Sequence, residues 1–319
     1  MSNHITGYPG EGWNAVAQMD LRILAAFAAT YLVWGSTYLA VSVALTSIPP
    51  FLLMGSRSLA GGLILFAFAL RDGGQLPLRV WLISGACGVL LFVGCHGVMA
   101  FAQQRVPSGI TAIILATIPF WIAIIGVFLP TKKPTKLWAL TLLIPGLAGV
   151  TLIAWHQIAV GQGGLLLFDV VLLLGASFSW ALGSILLERN TSPGISVFTM
   201  PGVALIVGGL ALLGLSAAAG EFQQFTFAEL SAGSISGWGY LVLAGTVVAF
   251  GSYVWLLRRV SPTLVATYTF VNPIIAVLLG WAILGEAFTA WTLLGGTLVV
   301  GSIIALLVFD PVVDKAKAS

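Results

Sequence analysis

The sequence predicts an all-α polytopic membrane protein with ten transmembrane helices, arranged as two inverted repeats of five helices each. Three observations support this fold class. The chain is 59% hydrophobic and only 7% charged, whereas soluble domains contain about 25% charged residues. Its apolar segments continue for about twenty residues, the length of a membrane-spanning helix, without the alternation that a membrane β-barrel requires. Short motifs also recur in the two halves of the chain.

Polar residues divide the chain into ten apolar segments joined by short connections, which leave no room for a soluble domain. Residues 1–22 and 310–319 are expected to be polar cytoplasmic tails, because the N-terminal segment lacks the basic start of a secretory signal. The expected spans are 23–45, 51–70, 80–101, 109–129, 137–155, 165–187, 196–219, 236–257, 263–283 and 291–309.

The distribution of lysine and arginine predicts that both termini are cytoplasmic. Basic residues near helix ends are retained on the cytoplasmic side of a membrane, and with the N-terminus inside, the outer side receives only Arg105. The inner side would then carry Arg22, Arg71, Arg79, Lys132, Lys133, Lys136, Arg189, Arg258, Arg259, Lys315 and Lys317.

An internal duplication supports the division into halves. Residues 105–108 (Arg-Val-Pro-Ser) resemble 259–262 (Arg-Val-Ser-Pro), and Pro119 and Pro273 follow them, all with an offset of 154 residues. Because each half has an odd number of helices, the second half must enter the membrane from the opposite side. Inverted repeats of this kind are typical of secondary transporters, which expose a midplane site to each side in turn.

Five stretches in both halves carry a family pattern: 34–38 (Trp-Gly-Ser-Thr-Tyr), 49–60 with its Pro-Pro pair and Arg57, 106–119, 179–181 (Ser-Trp-Ala) and 268–286. In them the sequence resembles the EamA family of the drug/metabolite transporter superfamily. The resemblance implies EamA repeats at 23–155 and 165–309, a bacterial inner-membrane location, and export or exchange of amino acids or amphiphilic compounds. One departure is that the Gly-Glu pair ending the last stretch has no counterpart in the first half.

Aromatic residues within the spans are candidates for a central cavity. Trp34 and Trp180 lie in the middle of corresponding helices, too deep for the interfacial belt. Ring faces would favour amphiphilic or zwitterionic substrates, and the resemblance places a cavity among these helices. The alternative is that the two tryptophans only fill the gap between the halves. The complete candidate set is Trp34, Tyr38, Arg57, His96, Trp121, Trp180, Tyr253, Tyr268 and Asn272.

Ionisable residues in the spans are few and therefore informative, since each is costly in a bilayer. Arg57 could bind a substrate carboxylate, or it could anchor its helix through neighbouring carbonyls. His96, Asp169 and Glu286 are the groups available for proton coupling. We expect a packing role for His96 and solvated positions at helix ends for the two acids, and a coupling role for them if the protein is a proton antiporter.

Prolines predict helix breaks at Pro119 and Pro273, where a freed carbonyl could face a cavity and the broken helices could act as a gate. Asn272 adds a donor and an acceptor at the same depth. A simple packing kink is the alternative.

These features together predict a secondary active transporter. An intramembrane enzyme or a membrane component of a multi-subunit system is the alternative, but no HExxH, GxSxG or phosphate-binding GxxxxGK[ST] motif occurs. We expect no catalytic residue, metal, cofactor or nucleic acid. The expected partners are a small-molecule substrate and the lipid bilayer, and a homodimer is left open. The absence of paired basic residues in the spans disfavours phosphorylated substrates.

Overall fold

A computed structural model describes residues 21–71, 77–129, 141–142, 144–160, 167–190, 196–257 and 268–309. These residues form helices and connecting turns, with no strand among them. The long helices are α1 (Leu21–Ala44), α2 (Pro50–Arg71), α3 (Leu78–Gly88, Val89–Gly97 and Val98–Gln103), α4 (Ser108–Leu115 and Ile118–Phe128), α5 (Ile144–Val160), α6 (Leu167–Arg189), α7 (Thr199–Ala218), α8 (Ala232–Tyr240, Leu241–Val248 and Ala249–Leu257), α9 (Tyr268–Leu284) and α10 (Ala290–Phe309).

The prediction of a helical membrane protein is confirmed. Seven helices in the described ranges are long and apolar enough to cross a membrane, and they correspond to α1, α2, α3, α4, α6, α7 and α8. Shorter apolar helices cover 144–153, 271–284 and 290–302, within α5, α9 and α10. The beginnings of the expected spans 137–155 and 263–283 lie outside the described residues.

Helix packing follows a regular pattern. α2 lies along α7, and α5 lies along α10. α1 contacts α8 and α9, while α6 contacts α3 and α4. Glycines allow the closest approaches: a Cβ added at Gly88 in α3 would clash with the carbonyl oxygen of Ala204 in α7. Backbones therefore touch directly there, as is common where membrane helices pack through small residues.

The bundle has two ends, which we name after Arg22 in α1 and Ser47 in the turn that follows α1. The Arg22 end is where α1 begins, and the Ser47 end is where α1 gives way to α2. At the Ser47 end the hydroxyl of Ser47 donates a hydrogen bond to the Ser234 hydroxyl at the start of α8, at 2.7 Å. The start of α8 is thereby held against the end of α1.

Candidate functional site

Three aromatic rings meet where α1, α8 and α9 come together. The Trp34 ring lies 5.3 Å from that of Tyr253 and 4.8 Å from that of Tyr268, and the two tyrosine rings are 6.0 Å apart. The Trp34 indole also donates a hydrogen bond to the Gly245 carbonyl in α8, at 3.0 Å. This aromatic cluster (Trp34, Tyr253 and Tyr268) offers ring faces to an apolar or cationic group.

Two further candidates extend the same helix faces. Tyr38 follows Trp34 by one turn of α1, and Asn272 follows Tyr268 by one turn of α9, spacings that place each pair on one face. The Asn272 side chain is buried, and its Oδ1 atom has no hydrogen-bond partner among the described residues. A buried amide oxygen without a partner is costly, so it is available to a ligand.

Arg57 places a guanidinium beside the aromatic cluster. The side chain is buried in α2, and Nη1 donates to the Met54 sulfur at 3.6 Å. A Cβ added at Gly245 would lie 3.5 Å from Arg57 Nη2. The guanidinium and the Trp34 indole therefore both meet α8 at Gly245.

His96 joins this group from α3. Its ring lies 5.0 Å from the Trp180 ring of α6 and 5.3 Å from the Phe92 ring. The Nδ1 atom is buried without a hydrogen-bond partner among the described residues, and the imidazole lies within electrostatic range of Arg57. The structure thus brings Trp34, Arg57, Tyr253 and Tyr268 together around Gly245, and it places His96 against Trp180.

Trp121 packs apart from both of these groups. Its ring packs edge-on against Phe178 at 5.5 Å, and it lies in a separate apolar cluster with Ile125, Ala181 and Ile185 between α4 and α6. The structure therefore places it in packing between these helices.

The two acids proposed for proton coupling lie at the Ser47 end. The expectation that Asp169 is solvated is wrong, because its side chain is 0% exposed and pairs with Arg105 at 2.5 Å. Glu286 is partly buried and accepts hydrogen bonds from the backbone N–H groups of Ser108, at 2.6 Å, and Gly109, at 3.1 Å. It therefore caps α4, where free N–H groups and the helix dipole favour a carboxylate. Neither acid lies with His96.

The two prolines behave differently. α4 is interrupted at Ala116–Thr117, and Pro119 occupies the first turn of its second segment, a position that proline favours. α9 continues through Pro273 as one helix, so the predicted interruption there is wrong. Proline within a membrane helix is tolerated where neighbouring groups satisfy the freed carbonyl. The gating role of both residues stays a prediction.

The EamA-like transporter family matches the chain twice, at residues 21–155 and 167–308. The chain belongs to the EamA-like transporter family. The uncharacterized inner membrane transporter YedA of Escherichia coli strain K12 is 36% identical over 297 residues, which cover 86% of this chain and 88% of that protein. The uncharacterized transporter YvbV of Bacillus subtilis is 29% identical, over 90% and 92% of the two chains.

The fold of this EamA-like protein also resembles a solved one. A protein crystal structure matches it with a TM-score of 0.62 and 19% sequence identity, covering 91% of this chain and 97% of that chain. At this level of identity the likeness concerns the fold alone.

Two features of this EamA-like protein escaped the sequence reasoning. Val89–Gly97 in α3 and Leu241–Val248 in α8 are π-helical, and they contribute His96 and Gly245 to the site. Such segments are rare and frequent at functional sites, but no residue type marks them in a sequence.

The second missed feature is Glu221, whose carboxylate accepts hydrogen bonds from Phe51 N and Leu52 N at the start of α2, at 3.2 and 2.8 Å. Like Glu286, it directly follows a glycine with positive φ, 74° at Gly220 and 66° at Gly285. The Gly-Glu pair that occurs at both positions is the sequence feature that could have indicated these two helix caps.

An open cleft of about 460 Å³ lies between α1 and α8 at the Arg22 end of the EamA-like bundle. Arg22, Ala26, Gly251, Ser252 and Trp255 contribute to its walls. Gly251 and Ser252 directly precede Tyr253 in α8, but none of the residues of the aromatic cluster lines the cleft.

Proposed function

We propose that this EamA-like protein is a secondary active transporter that exports or exchanges small organic metabolites, such as amino acids or amphiphilic compounds. The observation that carries the proposal is the meeting of the aromatic cluster with the buried guanidinium of Arg57 between α1, α2, α8 and α9. Aromatic faces beside a few polar groups are typical of small-molecule sites.

An inverted ten-helix architecture would provide the mechanism. The family matches each half separately, and the packing pairs correspond: α1 with α8 and α9, and α6 with α3 and α4. Halves related in this way exchange conformations, so that rocking of one against the other opens the site to each side in turn. The break in α4 before Pro119 and the buried Asn272 beside Pro273 are the proposed moving parts of the gate.

The proposed orientation places the Arg22 end in the cytoplasm of a bacterial cell and the Ser47 end outside. Arg22, Arg71, Arg79 and Arg189 lie at the first end, and Arg105 lies at the second. Positive charges favour the cytoplasmic side. His96 is the proposed proton-coupling group nearest the site, and Asp169 and Glu286 are the others.

Counterflow in proteoliposomes tests the transport proposal. Purified protein is reconstituted with an unlabelled solute inside, and uptake of labelled neutral and aromatic amino acids and of one lipophilic cation is measured. Trp34→Ala should lower the rate at least tenfold, because it removes the ring that contacts both tyrosines. Trp155→Ala, which changes an exposed tryptophan of α5, serves as the control. Folded wild-type protein that moves none of these solutes would contradict the proposal.

A further inference from the structure

Arg57 is a buried cation in the middle part of a membrane helix. Its side chain is 7% exposed. Among the described residues, the guanidinium has one recorded hydrogen bond, to the Met54 sulfur at 3.6 Å. A thioether is a weak acceptor and carries no charge, so this contact leaves the positive charge uncompensated.

Five acidic residues lie in the described ranges. Glu188 is in the last turn of α6, at the Arg22 end, and the other four lie as follows. Asp169 pairs with an arginine of the turn between α3 and α4. Glu221 and Glu286 cap α2 and α4, and Glu229 is exposed in a short turn beyond α7. None of these four acids forms a salt bridge with Arg57 in the described structure.

An uncompensated charge in this environment is costly, because low-dielectric surroundings do not replace its hydration. A bound anion removes most of that cost, and the guanidinium presents a planar fork that matches a carboxylate. We propose that Arg57 binds the carboxylate of the transported solute, which makes the substrate a small organic carboxylate. This inference rests on the proposed transport function and specifies its substrate class.

The surroundings of Arg57 define what else the solute carries. Gly245 lies beside the guanidinium, and its carbonyl accepts the hydrogen bond of the Trp34 indole. A carboxylate on Arg57 therefore has its carbon skeleton next to the aromatic cluster. In the described helices Arg57 is the arginine remote from a helix end, and a single guanidinium matches a monoanion better than a phosphate dianion.

Binding to the purified wild-type protein in lipid nanodiscs tests the inference directly. Matched pairs of glycine, leucine, glutamine and phenylalanine with their carboxamides are titrated by isothermal calorimetry. At least one amino acid should bind ten times or more tightly than its amide, because only the acid carries the anion. Equal affinities in every pair, or no binding by any of the acids, would overturn the proposal.

Variants at position 57 locate the selectivity. Arg57→Met keeps the length of the side chain and removes its charge, so the preference for acids over amides should disappear. Arg57→Lys keeps the charge and loses the fork, so affinity for the acids should fall about tenfold while the preference survives. Arg71→Met, an exposed position at the end of the same helix, should change neither. If Arg57→Met still binds acids more tightly than amides, the proposal is wrong. If Arg57→Met does not fold, Arg57→Lys decides, and an affinity for acids equal to that of wild type overturns the proposal.

Counterflow of the same pairs separates this inference from the transport function on which it rests. Transport of acids and amides at equal rates would overturn the carboxylate site and leave the transporter proposal intact. Selective binding of acids without any counterflow would support the site and contradict the transport function.

Discussion

At the residue scale, burial makes the two partners of the ion pair between Arg105 and Asp169 unequal. The carboxylate is 0% exposed, whereas the arginine side chain is 34% exposed and also lies over the Phe101 ring, at 4.7 Å. The two partners therefore depend on each other unequally. Without its partner the arginine can turn to solvent, but the aspartate stays buried.

This asymmetry predicts which of two substitutions destabilises the protein more. Arg105→Gln should destabilise the protein more than Asp169→Asn, by about 1 kcal/mol or more, because it removes the arginine cation while the carboxylate stays charged and buried. Thermal and denaturant unfolding in detergent micelles measure the difference. The double variant should resemble Asp169→Asn alone. A larger cost for Asp169→Asn than for Arg105→Gln would contradict the argument.

The sequence predicts part of the candidate site, because the position of a residue within an apolar span indicates its depth in the membrane. Trp34, Tyr253 and Tyr268 are large aromatic residues within apolar spans, and this is enough to nominate them. Their mutual contacts depend on how α1, α8 and α9 pack. Trp121 is also a large aromatic residue within a span, but it packs elsewhere. The depth of a residue does not determine which face of the helix it occupies. The sequence around Asp169 does not indicate its burial, because its arginine partner lies 64 positions earlier.

At the scale of helices, close packing depends on where side chains are absent. A Cβ at Gly88 would clash with the Ala204 carbonyl of α7, and one at Gly208 would lie 2.6 Å from the Gly88 carbonyl. These contacts involve backbone, which cannot move aside as a flexible side chain can. The crossing of α3 and α7 therefore requires glycine on both helices.

A comparison of two glycines tests this packing. Gly88→Ala should destabilise the protein by about 1–3 kcal/mol, because the added methyl group forces α3 and α7 apart. Gly214→Ala is the matched control in α7, where an added Cβ meets nothing within 4 Å. It should be neutral or stabilise by up to about 1 kcal/mol, since alanine favours helix. The two unfolding midpoints measure the contrast, and equal effects would contradict the packing argument.

Helix capping gives a second prediction at this scale. Glu286→Gln leaves one side-chain oxygen to accept from the start of α4 and removes the charge that favours the helix N-terminus. We expect a loss of about 1–2 kcal/mol in the free energy of unfolding. Glu229→Gln, at an exposed position, should leave the unfolding midpoint unchanged. A Glu286→Gln midpoint equal to that of wild type would show that the cap is not stabilising.

Helix boundaries were more predictable than helix interiors. The length of the apolar segments predicted the described spans, and Pro119 correctly predicted the break in α4. The same reasoning failed at Pro273, where the helix continues, because a proline changes local hydrogen bonding without fixing what the neighbours supply. The π-helical segments of α3 and α8 have no compositional signal at all.

At the scale of the whole molecule, polar contacts at the Ser47 end connect the first half of the chain to the second. Ser47 bonds to the start of α8, Glu221 caps α2, Glu286 caps α4, and Arg105 pairs with Asp169 of α6. At the Arg22 end α1 and α8 stay packed through Phe27 and Leu256, and an open cleft lies at the surface between them. The interactions at the Ser47 end are therefore mainly polar, whereas those between α1 and α8 at the Arg22 end are apolar.

If the halves rock, the contacts at the Ser47 end stabilise the present state against its opposite. Glu221→Gln together with Glu286→Gln should therefore shift the population toward the state that is open at the Ser47 end. A loss of about 1.4 kcal/mol corresponds to a tenfold change in the ratio of the two states. The shift requires only that both caps exist in one state and not in the other.

Cysteine accessibility measures this shift at both ends of the same molecule. Thr111→Cys reports on the Ser47 end, where Thr111 is fully buried, and Ser252→Cys reports on the cleft. The native thiols of Cys87 and Cys95 are buried and are replaced by serine to remove background. In the double glutamine variant the first reporter should react faster with maleimide and the second more slowly. Faster reaction at both positions would indicate local unfolding and would contradict alternating access, because only an exchange between two states makes one end close as the other opens.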